Sequence, residues 1–104
     1  MLPAVVRAQH VSVKCPLDSG KTRSYEISKD KVFVDGTDQT SDGTRGIKIA
    51  LMTKAKVMLE HLLFGTKILD FTIERYNSEM RFRYYDKGNL VGSKTADCDI
   101  HWDD

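Results

Sequence analysis

The stretch Ile47–Phe64, IKIALMTKAKVMLEHLLF, decides the fold because it reads two ways. Val57, Met58, Leu59, Leu62, Leu63 and Phe64 recur at the i, i+3 and i+4 spacing of an amphipathic helix. Gly65 follows where a helix C′ residue would sit, and Thr53 is a candidate N-cap. Those signals predict a helix over Thr53–Phe64. Ile47-Lys48-Ile49-Ala50-Leu51 alternates, as a short strand would. Ile47, Leu51, Met58 and Leu62 also share one helical face, which favours one long helix starting near Arg45.

On either side of this segment the period is two. Val5 to Cys15 reads as a strand, with Val11, Val13 and Cys15 on one face. Ser24 to Ser28 and Lys31 to Asp35 read as two more strands. After Gly65, Ile68 to Tyr76 places Leu69, Phe71 and Ile73 inward. Met80 to Tyr85 places Met80, Phe82 and Tyr84 inward and Arg81, Arg83 and Tyr85 outward. Asp86-Lys87-Gly88-Asn89 is a hairpin signal, and Leu90-Val91 starts the return strand. Gly92 to Thr95 reads as a break or bulge, and Asp97 to Trp102 as a last strand. Consecutive hairpins imply antiparallel pairing. The expected fold class is α+β: an antiparallel sheet of five to six strands, two β-meanders around one principal helix, with the helix packed on one face. The bare face would be the surface that a partner meets.

Length and composition bound the rest. At 104 residues the chain is expected to form a single domain, 1–104. It is too short for a doubly wound nucleotide-binding fold. Residues 35–46 form a long polar loop without an apolar residue, and 97–104 an acidic C-terminal strand or tail. Net charge is +1; outside the tail, 16 basic residues stand against 11 acidic ones. That balance argues against a dedicated nucleic-acid binder. No stretch approaches the 20 or so apolar residues of a membrane helix. The N-terminus lacks a basic segment followed by a long apolar run, so no signal peptide and a cytoplasmic location are expected. Cys15 and Cys98 are then expected to be reduced, with a bridge between first and last strands as the alternative.

Motifs that could carry chemistry fail their contexts. Gly20-Lys21-Thr22 ends like a phosphate-binding loop, but Cys15 stands where that loop needs glycine and Pro16 removes an amide. Asp35 to Gly43 superficially matches a calcium loop without its glycine and glutamate spacing. Asp97, Asp99, His101 and Asp103 fall at alternate positions and are weak metal candidates. Strand neighbours on one face stand about 6.6 Å apart, too far for compact chelation. No triad is marked among His10, His61, His101 and the cysteines.

The expected function is a small non-catalytic protein-binding module of adaptor or inhibitor type, with no cofactor. Its surface would comprise Arg75, Tyr76, Arg81, Arg83 and Tyr85, with Asp38, Asp42 and Arg45 from the loop. The partner is a protein, a second copy in a homodimer included. A nucleic-acid-binding module using the same Arg/Tyr face is the alternative, and a small metal-dependent hydrolase the third.

Overall fold

A computed structural model describes residues 10–77 and 79–103. It is all-β, and the α+β expectation is corrected on its central element. Ten strands run in chain order: β1 (His10–Pro16), β2 (Thr22–Ser28), β3 (Val32–Val34), β4 (Thr37–Asp38), β5 (Gly46–Met52), β6 (Lys56–Leu62), β7 (Lys67–Glu74), β8 (Glu79–Asp86), β9 (Asn89–Asp97) and β10 (Asp99–Asp103). The five-to-six-strand sheet becomes two five-stranded sheets, in the orders β10-β1-β2-β3-β4 and β5-β6-β7-β8-β9. Every ladder within them is antiparallel. The part of the expected first strand before His10 and the tail residue Asp104 lie outside the described residues. Among the described residues, no helix is long and apolar enough to cross a membrane.

The expected helix is the β5–β6 hairpin and the turn after it. Thr53 does accept N–H bonds from residues two and three ahead, as an N-cap does. Its Oγ1 takes Ala55 N–H at 3.2 Å and Lys56 N–H at 3.1 Å. Thr53 N–H, however, donates to Lys56 O at 2.9 Å and closes a hairpin turn. Beyond it Val57 and Leu59 face the core, 0% and 1% exposed, while Met58, Glu60 and Leu62 take the other face. Because Met58 and Leu62 are apolar on that outer face, the period of two is masked. A 12-residue helix is marginal on its own. As a strand, the segment gains ladders to both β5 and β7. Gly65 serves the β6–β7 turn at φ 62°, a left-handed conformation that glycine adopts without strain.

The inner faces of the two sheets make one core. Val11, Ile27 and Val32 from the first sheet meet Val57, Ile73 and Met80 from the second, all at 0% exposure. Burying each such side chain contributes about 1.5–3 kcal/mol before entropy. Two links join the sheets at their margins. The chain passes from β9 to β10 through Cys98, which is bonded to Cys15 at the end of β1. The expectation of two reduced thiols is thereby corrected: Cys15 on β1 and Cys98 in the β9–β10 connection are both buried, with Cα atoms 4.4 Å apart. On the opposite margin Ile47 N–H donates to Gln39 O at 2.7 Å and Ser41 N–H to Ile47 O at 2.9 Å. Residues 35–46 thus contain the Asp35-Gly36 turn, β4 and an Asp42 turn.

Candidate functional site

The two ends of the sandwich differ. At one end the core is closed by Arg75, whose guanidinium lies 5.6 Å from the Trp102 ring centroid. Arg75 also donates from its side chain to Lys54 O at 3.0 Å and from its backbone to Ala55 O at 2.9 Å. At the other end the sheets splay around a cavity of about 400 Å³. Its wall is mostly apolar: Val34, Ile47, Leu69 and Ala96 line it, with the rings of Phe71 and Phe82. Tyr25 and Phe71 face each other across the sheets at 5.7 Å between centroids, and Phe82 meets Phe71 edge-on at 5.2 Å. Cys15 borders the cavity, so the disulfide stands in its wall.

Three nitrogen-bearing side chains interrupt this wall, and no Asp or Glu lines it among the described residues. Arg23 enters from β2, with its Nε 3.5 Å from Asp35 Oδ2. Its positive charge also acts on the Tyr25 hydroxyl two positions along the same strand face. Burial pushes the Tyr25 phenol above its ordinary range, and Arg23 pulls against that shift. His61 enters from β6, 6.3 Å from the Phe71 ring, and burial lowers its proton affinity. The imidazole is therefore mainly neutral at pH 7. Lys94 enters from β9, directly opposite Phe82 in the ladder. It makes no ion pair among the described residues.

None of these residues was marked from sequence. Arg23, His61 and Lys94 come from three distant strands that only the fold brings together. One signal was present. Lys94 is in phase with Ala96 and Cys98, so a period of two carried two residues further back would have placed it on the inner-face register, at the exposed mouth of the cavity.

The sequence-derived surface is divided by the fold. Arg81, Arg83 and Tyr85 lie on the outer face of β8. Arg75 and Tyr76 sit in the β7–β8 turn instead. Arg75 is committed to the closed end, and Tyr76 is 94% exposed. Neighbouring strands extend the outer face into rows. One row is apolar: Leu62, Ile68, Tyr85 and Leu90. The next is Lys48, Glu60, Asp70, Arg83 and Ser93. Burial, then the neighbouring Glu60, raises the Asp70 proton affinity, while Arg83 opposes them.

The loop residues build turns. Asp38 accepts Thr40 N–H at 2.9 Å and lies 3.6 Å from Lys31 Nζ, with the Thr40 bonds chiefly holding its carboxyl below the usual range. Asp42 accepts N–H bonds from Thr44 and Arg45, and these hold its carboxyl at about 2. The Arg45 guanidinium stacks 5.5 Å from the Phe64 ring centroid.

The metal candidates separate. Asp97 ends β9 opposite Glu79, whereas Asp99, His101 and Asp103 belong to β10. Asp99 and His101 approach at 3.7 Å on an exposed face, and no group of three potential ligands forms among the described residues. A second polar cluster, missed in the sequence, lies on the outer face of β1 and β2. Ser12 Oγ donates to Glu26 Oε2 at 2.6 Å, and His10 Nε2 lies 2.8 Å from the same oxygen. The carboxylate stands between serine and histidine there, so the imidazole is not placed to activate the hydroxyl as in a triad.

A scan against protein-family models found no match, and searches of curated proteins and of solved structures found none either.

Proposed function

We propose that this chain is a small non-catalytic binding module that takes a compact, mainly apolar molecule between its two sheets. The observation that carries this reading is the cavity of about 400 Å³, open at one end of the core. Ligand pockets commonly fall in the range of about 300–1,000 Å³, with apolar walls and a few placed polar groups. Aromatic rings from both sheets and three nitrogen-bearing side chains match that description. The non-catalytic part is supported by the chemistry of the wall: two cations, an imidazole, a phenol that burial keeps protonated and a sulfur already bonded to another sulfur, with no carboxylate to act as a base among the described residues.

The test is calorimetric titration of the oxidised chain with decanol, a neutral probe. Saturable one-to-one binding that is lost in Leu69→Trp, where the indole fills the cavity, supports the reading. Binding that is absent, or unchanged in Leu69→Trp, overturns it.

The protein-binding expectation stands as a second reading, on one observation. The apolar row Leu62, Ile68, Tyr85 and Leu90 runs beside Arg83 on an outer face that the described residues leave exposed at Leu90. Tyr and Arg beside apolar anchors have the composition of interface hot spots. Arg81, which has no ion pair among the described residues, suits a protein partner presenting carboxylates. A photoreactive group at Tyr85 should crosslink such a partner, and crosslinks that survive Arg81→Glu/Arg83→Glu count against the reading. Nucleic acid is less favoured because Glu60 and Asp70 share the row with Arg83. A Cys15–Cys98 bridge fits an oxidising compartment better than the cytoplasm.

A further inference from the structure

We infer that the molecule taken by the cavity is an amphipathic monoanion: an apolar tail against Leu69, Phe71 and Phe82, and a carboxylate-type head between Arg23 and Lys94. The inference rests on the cavity-binding reading above and narrows its ligand class.

Size comes first. At the ~30 Å³ that a water molecule occupies in the liquid, about 400 Å³ holds roughly 13 non-hydrogen atoms. A ten-carbon chain with one carboxylate is of that size. Charge comes second. The wall holds two permanent cations and no carboxylate among the described residues, in a protein whose acidic and basic residues nearly balance. Arg23 enters from the first sheet and Lys94 from the second, so a head between them would touch both layers. Arg23 is already engaged by Asp35, but a guanidinium carries five N–H donors and this contact leaves some over. Lys94 is the more telling residue. It lies on the inner-face register of β9 opposite Phe82, yet it is exposed, so its ammonium group is solvated at the cavity mouth and open to an incoming anion. The rival explanation is that an inward charge on edge strand β9 deters pairing with other chains, as does the register shift at Tyr84/Tyr85. That rival predicts no preference among head groups.

Decanoate, decanol and decylammonium, titrated into the full chain with its disulfide intact, separate the two. Decanoate is expected to bind about tenfold tighter than decanol, the gain of one charge-assisted hydrogen bond, and decylammonium weaker than both. Lys94→Gln, which breaks no ion pair among the described residues, should narrow that preference to about threefold. Adding Arg23→Gln should abolish the preference while decanol binds as before. Equal binding of decanol and decanoate, or a preference that survives both substitutions, overturns the inference and leaves the cavity reading standing. Failure of all three probes to bind overturns both.

Discussion

Breaking the Cys15–Cys98 bridge should cost this protein a large share of its stability. The two cysteines are 83 positions apart, so the bond closes most of the chain into a loop. In the chain-entropy treatment a loop of that length restricts the unfolded ensemble by about 4–5 kcal/mol at 25 °C. A domain of this size has roughly 5–15 kcal/mol in total. The perturbation of choice is Cys15→Ala/Cys98→Ala, because both sites are nearly buried, at 4% and 7% exposure, and serine would bury a hydroxyl. Urea unfolding of the oxidised protein and the double variant, followed by circular dichroism, reads the difference. The expected loss is about 4 kcal/mol, with a steeper denaturant dependence in the variant because its unfolded chain expands further. A loss below about 1 kcal/mol would refute the reasoning: the β1–β10 ladder and the core would then hold the chain ends without the covalent link.

Three further outcomes are expected. Gly46→Ala should destabilise the fold well beyond Gly20→Ala in thermal unfolding. Both glycines have positive φ, but a Cβ at 46 would sit 2.6 Å from Gln39 O, whereas at 20 it meets open space. Arg75→Ala should cost about 1–2 kcal/mol through its bond to Lys54 O and its place over Trp102, while Arg81→Ala stays within about 0.5 kcal/mol by urea unfolding. Acidification should weaken the fold through His61. Its folded proton affinity lies below the ordinary imidazole value of 6.5, so the unfolded chain takes up the proton first. That contribution is complete above pH 6.5 and is lost as pH falls below it, and His61→Gln should flatten this part of a stability profile.

Where polar residues mark the solvent face, the sequence was legible. Arg81 and Arg83 between Met80, Phe82 and Tyr84 leave one reading for β8, and Asp70 and Thr72 do the same for β7. The hairpin at Asp86–Asn89 was equally plain, with Lys87 and Gly88 both at positive φ. The 47–64 segment failed because Met58 and Leu62 put apolar side chains on the outer face, so helical and strand periods fitted the same letters. The cavity was illegible for another reason. A wall assembled from β2, β6 and β9 depends on which end of the sandwich stays open, and no local pattern encodes that. Arg75 shows the converse. Its residue type fitted a binding surface, but its position in the turn draws it over Trp102.

The strand order also has a kinetic meaning. Seven of the eight ladders join strands adjacent in the chain, and only β1 with β10 brings distant segments together. Each hairpin can form by closing a short loop, whereas the β1–β10 ladder and the docking of the two sheets need long closures, which are expected to follow. Sulfur oxidation is then expected to act on partners that the β1–β10 ladder has already aligned, so the reduced chain should refold about as fast as the oxidised one.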